Sequence, residues 1–294
     1  MTDQLVKLAE LVRSASPTVS FEFFPPRTPA AQAAFATDLR ELLGVVPDFV
    51  SVTYGSNGAT REGSRELVTQ LLNTGVRTIA HMTCVATPRA EVREVVERLL
   101  NLGVRDILAI RGDPPRDGWA PGDDDLRYAS DLVVLVRDIQ TEVGADVSVA
   151  VAAYPGGQGG TFDIGPDVAA LKAKKRAGAD LAITQVFFDP KAYANLVNSS
   201  KEAGITFPIL PGILPLTDLD RVDRLSRLTG VPVPNALRDK LNAAREAGEE
   251  YEVGMAATVD LAQAVLDEGA PGVHIYTFNK ARAALDLVHR LGLR

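Results

Sequence analysis

The chain has 294 residues, 46% of them hydrophobic, a single cysteine and a formal net charge of −7. An acidic chain lacks the basic face that binds phosphate backbones, which argues against nucleic acid as a partner. One cysteine, Cys84, excludes an internal disulfide and a cysteine-rich metal site, and it reads as a small core residue.

The segment Met1–Val19 carries Asp3, Lys7, Glu10 and Arg13, so it does not read as a signal peptide. No apolar run approaches the length of a membrane span, and a cytoplasmic location is expected. Val19–Phe24 reads as a first strand with one carboxylate inside it. Phe21 and Phe23 alternate with Ser20 and Glu22, so Glu22 faces away from the two phenylalanines. A buried Glu is costly unless it is paired, neutral or facing a cavity. Pro25-Pro26 then ends the strand, because proline cannot continue a central ladder.

Further strands are expected at Phe49–Tyr54, Thr78–Thr83, Asp106–Arg111, Val147–Tyr154, Leu181–Phe188, Phe207–Leu214 and Val273–Phe278. Helices fit between them at Ala30–Leu43, Arg61–Thr74 and Arg89–Leu102; in the last, Val92, Val95, Val96, Leu99 and Leu100 form an i, i+3, i+4, i+7 stripe. Later helices are expected at Asp218–Leu228, Pro234–Ala247, Glu250–Glu268 and Lys280–Leu291. Eight strands alternating with helices predict a closed α/β barrel of the (β/α)8 TIM type, one catalytic domain over residues 1–294. An additional helix is expected between strands seven and eight. A doubly wound open sheet is the alternative, but neither GxGxxG nor GxxxxGK[ST] is present. Two long loops, Asp113–Arg127 and Gly156–Pro166, follow strands on the side where barrel loops form active sites.

Polar residues cluster at the predicted strand ends: Glu22; Thr53 and Tyr54 with Ser56 and Asn57; His81 and Thr83; Arg111 and Asp113; Tyr154; Thr184 and Gln185; Tyr276, Thr277, Asn279 and Lys280. In a closed barrel they converge on one mouth, the usual place for a cofactor or substrate. Each also has a structural reading. Glu22 is open to an internal ion pair with Arg111 or Lys280, His81 to a satisfied core position, and Asp113 to shaping the turn before Pro114-Pro115. Gln185 needs amide partners in protein or ligand. Trp119 either caps the cavity or lies on the surface.

Several strings occur in a telling order: Phe21-Glu22-Phe23-Phe24-Pro25-Pro26-Arg27-Thr28, Ser51-Val52-Thr53-Tyr54-Gly55, His81-Met82-Thr83-Cys84, Arg111-Gly112-Asp113, Tyr128-Ala129-Ser130-Asp131, Ala153-Tyr154-Pro155, Ile183-Thr184-Gln185, Pro211-Gly212-Ile213-Leu214-Pro215 and His274-Ile275-Tyr276-Thr277-Phe278-Asn279. Together they resemble the methylenetetrahydrofolate reductase family in its short bacterial form. The resemblance implies a (β/α)8 barrel carrying FAD, with NADH or NADPH as electron donor. It implies ping-pong reduction of 5,10-methylenetetrahydrofolate to 5-methyltetrahydrofolate, feeding methionine synthesis, and a homo-oligomeric protein.

By the same resemblance Glu22 is the general acid, and Asp113 binds the pterin and tunes the flavin. Gln185 also binds the pterin, and Lys280 stands near the folate and its anionic tail. Arg221 and Leu225 occupy two more substrate positions. Thr53, His81, Arg111, Gly112, Asp113, Tyr128, Ala129, Tyr154, Asp167 and Lys174 match FAD contacts.

The chain departs from the family in three places. A histidine usual after the fifth strand is replaced within Tyr154-Pro155-Gly156-Gly157-Gln158-Gly159-Gly160. Ala170 and Ala173 stand where the family has an amide and an arginine, and Leu225 where it has an aromatic. Two variants follow: a flavin-free reductase using NADH directly, and a non-catalytic folate- or flavin-binding barrel. Another barrel enzyme of one-carbon chemistry, such as a methyltransferase, is a rival that the combined set of Glu22, Asp113 and Gln185 disfavours.

Overall fold

In the computed structural model, residues 6–14, 16–54, 58–115, 120–158, 161 and 163–294 are described. The strands are β1 (Thr18–Phe23), β2 (Phe49–Val52), β3 (Thr78–Thr83), β4 (Asp106–Ile110), β5 (Ser148–Ala153), β6 (Leu181–Thr184), β7 (Ile209–Leu210), β8 (Gly212–Ile213) and β9 (Gly272–Tyr276). They pair in the order β7-β6-β5-β4-β3-β2-β1-β9-β8, with every pairing parallel.

The two ends of that order are a single predicted strand, interrupted at Pro211. Proline has no N–H to give a ladder. The pairing therefore changes hands there: Leu210 is in register with Ile183 of β6, and Gly212 with His274 of β9. The carbonyl of Pro211 accepts from His274 N at 2.9 Å. The sheet closes through this break into the predicted parallel barrel, and the doubly wound alternative is not formed.

Helices α2 (Pro29–Gly44), α3 (Gly58–Asn73), α4 (Arg89–Asn101), α5 (Ala129–Val143), α6 (Gly165–Arg176) and α7 (Pro190–Glu202) alternate with the strands. Three helices, α8 (Leu219–Thr229), α9 (Asn235–Ala247) and α10 (Glu250–Asp267), fill the interval before β9, and α11 (Ala281–Arg290) ends the chain. The outward residues of β1 follow the expected alternation. Val19, Phe21 and Phe23 are fully buried under the helices, and the Phe23 ring meets Phe35 of α2 edge-on at 5.5 Å. Parallel strands covered by helices bury both faces, so the inward set needs its own packing.

At the amino-terminal end of the barrel that packing comes from α1 (Leu8–Val12), a short helix without a sequence-based expectation. Leu8 and Val12 plug the floor against Phe49, Ile79, Leu108, Leu181 and Leu210. The Leu8 amide also donates to Ser148 Oγ at 3.1 Å. Five residues are too short to carry a readable helical period. At the other end α8 leans over the mouth, held by a small cluster of Val186, Leu214, Leu216, Val222 and Val233.

Gly212 stands where the broken strand meets both neighbours. A Cβ there would lie 2.3 Å from the Thr184 carbonyl and 2.6 Å from the Tyr276 ring. Gly212 N donates to Thr184 Oγ1 at 2.9 Å, and the Tyr276 hydroxyl donates to the Thr184 carbonyl at 2.7 Å. β6, the split strand and β9 are thus locked without room for a methyl group. Gly212→Ala should destabilise the protein by roughly 1–3 kcal/mol through overpacking, read as a lower urea midpoint. Gly44→Ala, at a site with nothing within 4 Å of the added carbon, should leave the midpoint unchanged or raise it. Equal effects at both sites would refute the interlock.

Candidate active site

Registration carries one inward face around the barrel. Glu22 is level with Ser51 of β2 and Tyr276 of β9, and Ser51 is in turn level with Ile79, two residues before His81. At the carboxyl ends these residues open into a cavity of about 370 Å³, with Glu22 and His81 low in its wall and Tyr154, Gln185 and Leu225 among its lining.

The Glu22 carboxylate has an imidazole on either side. Its Oε2 lies 3.7 Å from His81 Nε2 and 3.7 Å from His274 Nε2. His274 is fully buried and fixed: Nδ1 is 2.8 Å from Ser20 Oγ, Nε2 is 3.3 Å from Ser51 Oγ, and the ring stacks on Phe49 at 5.9 Å. His81 Nε2 is buried with no hydrogen-bond partner. Burial pushes the His81 imidazolium down to about 4, with Glu22 opposing and His274 adding to the shift. His81 is therefore neutral near pH 7. Among the described residues, Glu22 has no arginine or lysine within ion-pair distance. The internal ion pair with Arg111 or Lys280, open from the sequence, is not made.

Lys280 does not line the cavity. Its Nζ lies 3.3 Å from Asp38 Oδ2 on α2, with the side chain 56% exposed. The other Asp38 oxygen accepts from Ala281 N at 2.8 Å. One carboxylate thus holds both the start of α11 and the amine that precedes it, and turns Lys280 outward. Arg221 stands at the rim, 5.5 Å above the ring of Phe278, and Leu225 lines the cavity itself.

Tyr154 is a post between three spaces. It lines the central cavity, one of about 320 Å³ beside α5 and α6, and one of about 670 Å³ beyond β3 and β4. Asp113 and Gln185 share the largest, and Gln185 also reaches the central one. Thr53 lines the central cavity, and its carbonyl accepts from Ser64 Oγ at 2.8 Å. Gly112 has φ +84°, and a Cβ there would lie 3.0 Å from Val85 and 3.1 Å from Thr83. The Arg111–Asp113 turn therefore needs glycine at its centre.

The cavity beside α5 and α6 is lined by Arg111, Tyr128, Ala129, Ala170, Ala173 and Lys174. Arg111 Nε is buried without a partner. Lys174 donates to the Ala152 carbonyl at 2.8 Å and lies 5.9 Å from the Tyr154 ring centre. Burial lowers the Lys174 ammonium to about 8, against the pull of Asp167. Burial raises the Asp167 carboxyl, while the Gln158 amide, donating at 3.0 Å, opposes the rise. Asp167 stands behind the cavity wall rather than on it. Two cationic groups and the amino end of α5 make this space suited to an anionic group with an apolar body.

His274, Phe24 and Phe278 also form the site and were not among its predicted members. The cue for His274 was its position two residues before Tyr276, on the same inward face. Trp119, Ser56, Asn57 and the pair Gly159-Gly160 lie outside the described residues. Among the described residues no group of His, Cys, Asp or Glu is arranged to hold a metal ion, and no helix is long and apolar enough to cross a membrane.

Residues 7–292 match the sequence profile of the methylenetetrahydrofolate reductase family. The 5,10-methylenetetrahydrofolate reductase of Escherichia coli K12 is 34% identical over 278 residues, 94% of this chain and 91% of that protein. That of Pectobacterium carotovorum is also 34% identical, covering 94% and 90%. In structure, a Clostridium thermocellum protein described as binding two copies of 5-methyl-5,6,7,8-tetrahydrofolic acid superposes with a TM-score of 0.66 at 14% identity, over 96% of this chain and 97% of that one. Oxaloacetate acetylhydrolase superposes at 0.56 and 14% identity, over 97% and 84%, so the structural likeness speaks for the barrel alone. The sequence relationship goes further: the chain belongs to the methylenetetrahydrofolate reductase family and is an NAD(P)H-linked oxidoreductase of folate one-carbon chemistry.

Proposed function

We propose that the chain reduces 5,10-methylenetetrahydrofolate to 5-methyltetrahydrofolate, with FAD as bound cofactor and NADH as electron donor, the two substrates alternating in one site. The observation that carries this reading is Glu22, set low in a cavity of about 370 Å³ between two imidazoles and without a cationic partner among the described residues. Opening the methylene bridge requires a proton on its ring nitrogen. The carbon–nitrogen bond then breaks to leave an electrophilic iminium carbon, which takes a hydride to become the methyl group. A carboxylic acid at the cavity wall is suited to give that proton. Burial keeps His81 neutral, so it places no fixed positive charge beside Glu22. Gln185 and Asp113, which share the adjoining cavity, are suited to bind the amide and amine edge of a pterin.

The lining of the space beside α5 and α6 suits the phosphate end of FAD. The unpartnered Arg111 Nε and the Lys174 ammonium suit its phosphates, and Tyr128 and Ala129 offer the first turn of α5. Gly112, Thr53, His81, Asp113 and Tyr154 border the route from there to Glu22, and Asp167 supports the wall. When bound, the flavin supplies a two-electron carrier between the nicotinamide and the folate.

A second reading, direct hydride transfer from NADH without flavin, draws on one feature. The wall beside Lys174 is made by Ala170 and Ala173, and the Lys174 amine is already engaged with the Ala152 carbonyl. The visible absorption of the purified protein separates the two readings. A colourless protein that oxidises NADH only when methylenetetrahydrofolate is present, unaffected by added FAD, would establish the second. No folate-dependent oxidation of NADH under either condition would sink both.

Glu22→Gln should lower folate reduction by about 10²- to 10⁴-fold, the usual weight of a general acid. Reduction of bound flavin by NADH should persist. Stopped-flow measurement of each half-reaction checks this, and parallel loss of both would make Glu22 structural.

His81 also fixes a pH dependence. Its pKa falls from 6.5 to about 4 on folding, so the unfolded chain binds more protons between those values. Stability therefore rises with pH across that window and is lost as pH falls through it, by up to about 3 kcal/mol. His81→Gln should flatten the fall when urea midpoints are compared from pH 7 to pH 4. Equally steep losses in both proteins would assign the effect elsewhere.

A further inference from the structure

The end of β1 is tied to the turn after β9 by three hydrogen bonds, and a fourth braces the turn itself. Thr277 Oγ1 donates to the Glu22 carbonyl at 2.7 Å. Asn279 Nδ2 donates to the Phe24 carbonyl at 2.7 Å, and the Phe24 amide donates to Asn279 Oδ1 at 3.1 Å. The Asn279 amide in turn donates to Thr277 Oγ1 at 3.0 Å. The Asn279 side chain therefore reads both backbone groups of Phe24, as a neighbouring strand would. It does so where the ladder has stopped, one residue past the end of β1 and three past the end of β9.

The turn adopts an uncommon backbone to make these bonds. Phe278 has φ +49° and Asn279 has φ +59°. A left-handed conformation is disfavoured for residues with a Cβ, least so for Asn, and two in succession persist only where the surroundings hold them. Thr277 and Asn279 are 4% and 7% exposed. The intervening Phe278 swings onto the rim, edge-on to Phe24 at 6.4 Å, and both rings line the cavity above Glu22.

We infer that Thr277 and Asn279 are positioning residues: a latch that fixes the Glu22–Phe24 backbone, and with it the direction of the Glu22 carboxylate and the placement of the Phe24–Phe278 rim. Neither residue faces the transferred proton with a titratable group. They act through the backbone of the residue that does. The two hydrogen bonds to Phe24 prevent the segment before Pro25-Pro26 from peeling off the sheet, where the prolines offer no ladder donors of their own. The inference rests on the proposed role of Glu22. It adds that the acid is aimed from β9 and not by its own strand alone.

Asn279→Gly is the informative variant. Glycine tolerates φ +59° without strain, so it removes the side-chain bonds and leaves the turn its conformation. Folate reduction in this variant should fall by about 100-fold, the usual consequence of a misplacement near 1 Å. Oxidation of NADH with an artificial acceptor that bypasses the folate should be unchanged. Asn279→Asp, which keeps the acceptor for the Phe24 amide and loses the donor, should be intermediate, and Thr277→Val should repeat the selective loss. Exchange of the Phe24 amide hydrogen should quicken in Asn279→Gly, a readout independent of catalysis. Equal losses in both activities, or unchanged Phe24 exchange, would overturn the latch. If the unmodified protein reduces no folate, the functional reading fails instead, and Phe24 exchange alone then decides whether the latch exists.

Discussion

A closed barrel has one seam, the place where its first strand must find its last, and here Glu22, His274 and Tyr276 are gathered on it. β1 pairs β9 from Thr18↔Gly272 to Glu22↔Tyr276. Backbone pairing sets the height of each inward side chain, so Ser20 lies level with His274, and Glu22 with Tyr276. Serine hydroxyls from β1 and β2 then orient the buried imidazole, and that imidazole sits beside the carboxylate. Slipping this pairing by one residue would send Glu22 to the helix-facing side and bring Phe21 or Phe23 into the cavity. The apolar cost of exposing those rings, about 1.5–3 kcal/mol each, opposes such a slip. The helical shell thus enforces the register on which the position of Glu22 depends.

The other edge of β9 is governed by a different constraint. Pro211 removes one ladder donor, and the barrel recovers closure with side chains: Thr184 accepts from Gly212 and Tyr276 through its two oxygens. Burial drives the Tyr276 phenol well above its ordinary range, with Glu22 and Tyr154 adding to the shift. It stays a hydrogen-bond donor throughout the physiological range. Tyr154, raised in the same way by burial, is likewise a neutral wall between cavities. The phenols shape the site, leaving Glu22 as the carboxyl group on the wall of the central cavity.

Much of this was legible because barrel strands obey a period of two. The alternation in Ser20-Phe21-Glu22-Phe23 told which way Glu22 faces, and the recurrence of polar residues at strand ends told where the mouth is. What could not be read is what depends on partners distant in sequence. Lys280 follows a strand end as Glu22 nearly does, yet Asp38, on a helix 242 positions away, turns it outward. α1 is too short to carry a period, and its role as the floor plug emerges only from the ring of strands it meets. The division of the mouth into three spaces around Tyr154 depends on ring placement, which no spacing encodes. His274 was visible as a polar residue within an apolar strand, but its hydrogen bonds to Ser20 and Ser51 required the closure itself.

The rim also bears on how a change at one wall can be met from another. Leu225 presents an aliphatic side chain from α8, while Phe24 and Phe278 present two aromatic faces from the β1 and β9 ends. A planar ligand ring gains apolar contact from either kind of surface, but edge-on and offset contacts between rings add about 0.5–1.5 kcal/mol beyond the area buried. That directional part of the contact is available here on the seam side, where the Thr277–Asn279 turn holds both rings. The Arg221 guanidinium lies 5.5 Å over the centre of the same Phe278 ring, its charge partly engaged by Asp218 at 3.4 Å. A cation stacked on an aromatic face keeps its edges free to donate. Aromatic contact and positive charge therefore converge on the rim above Glu22.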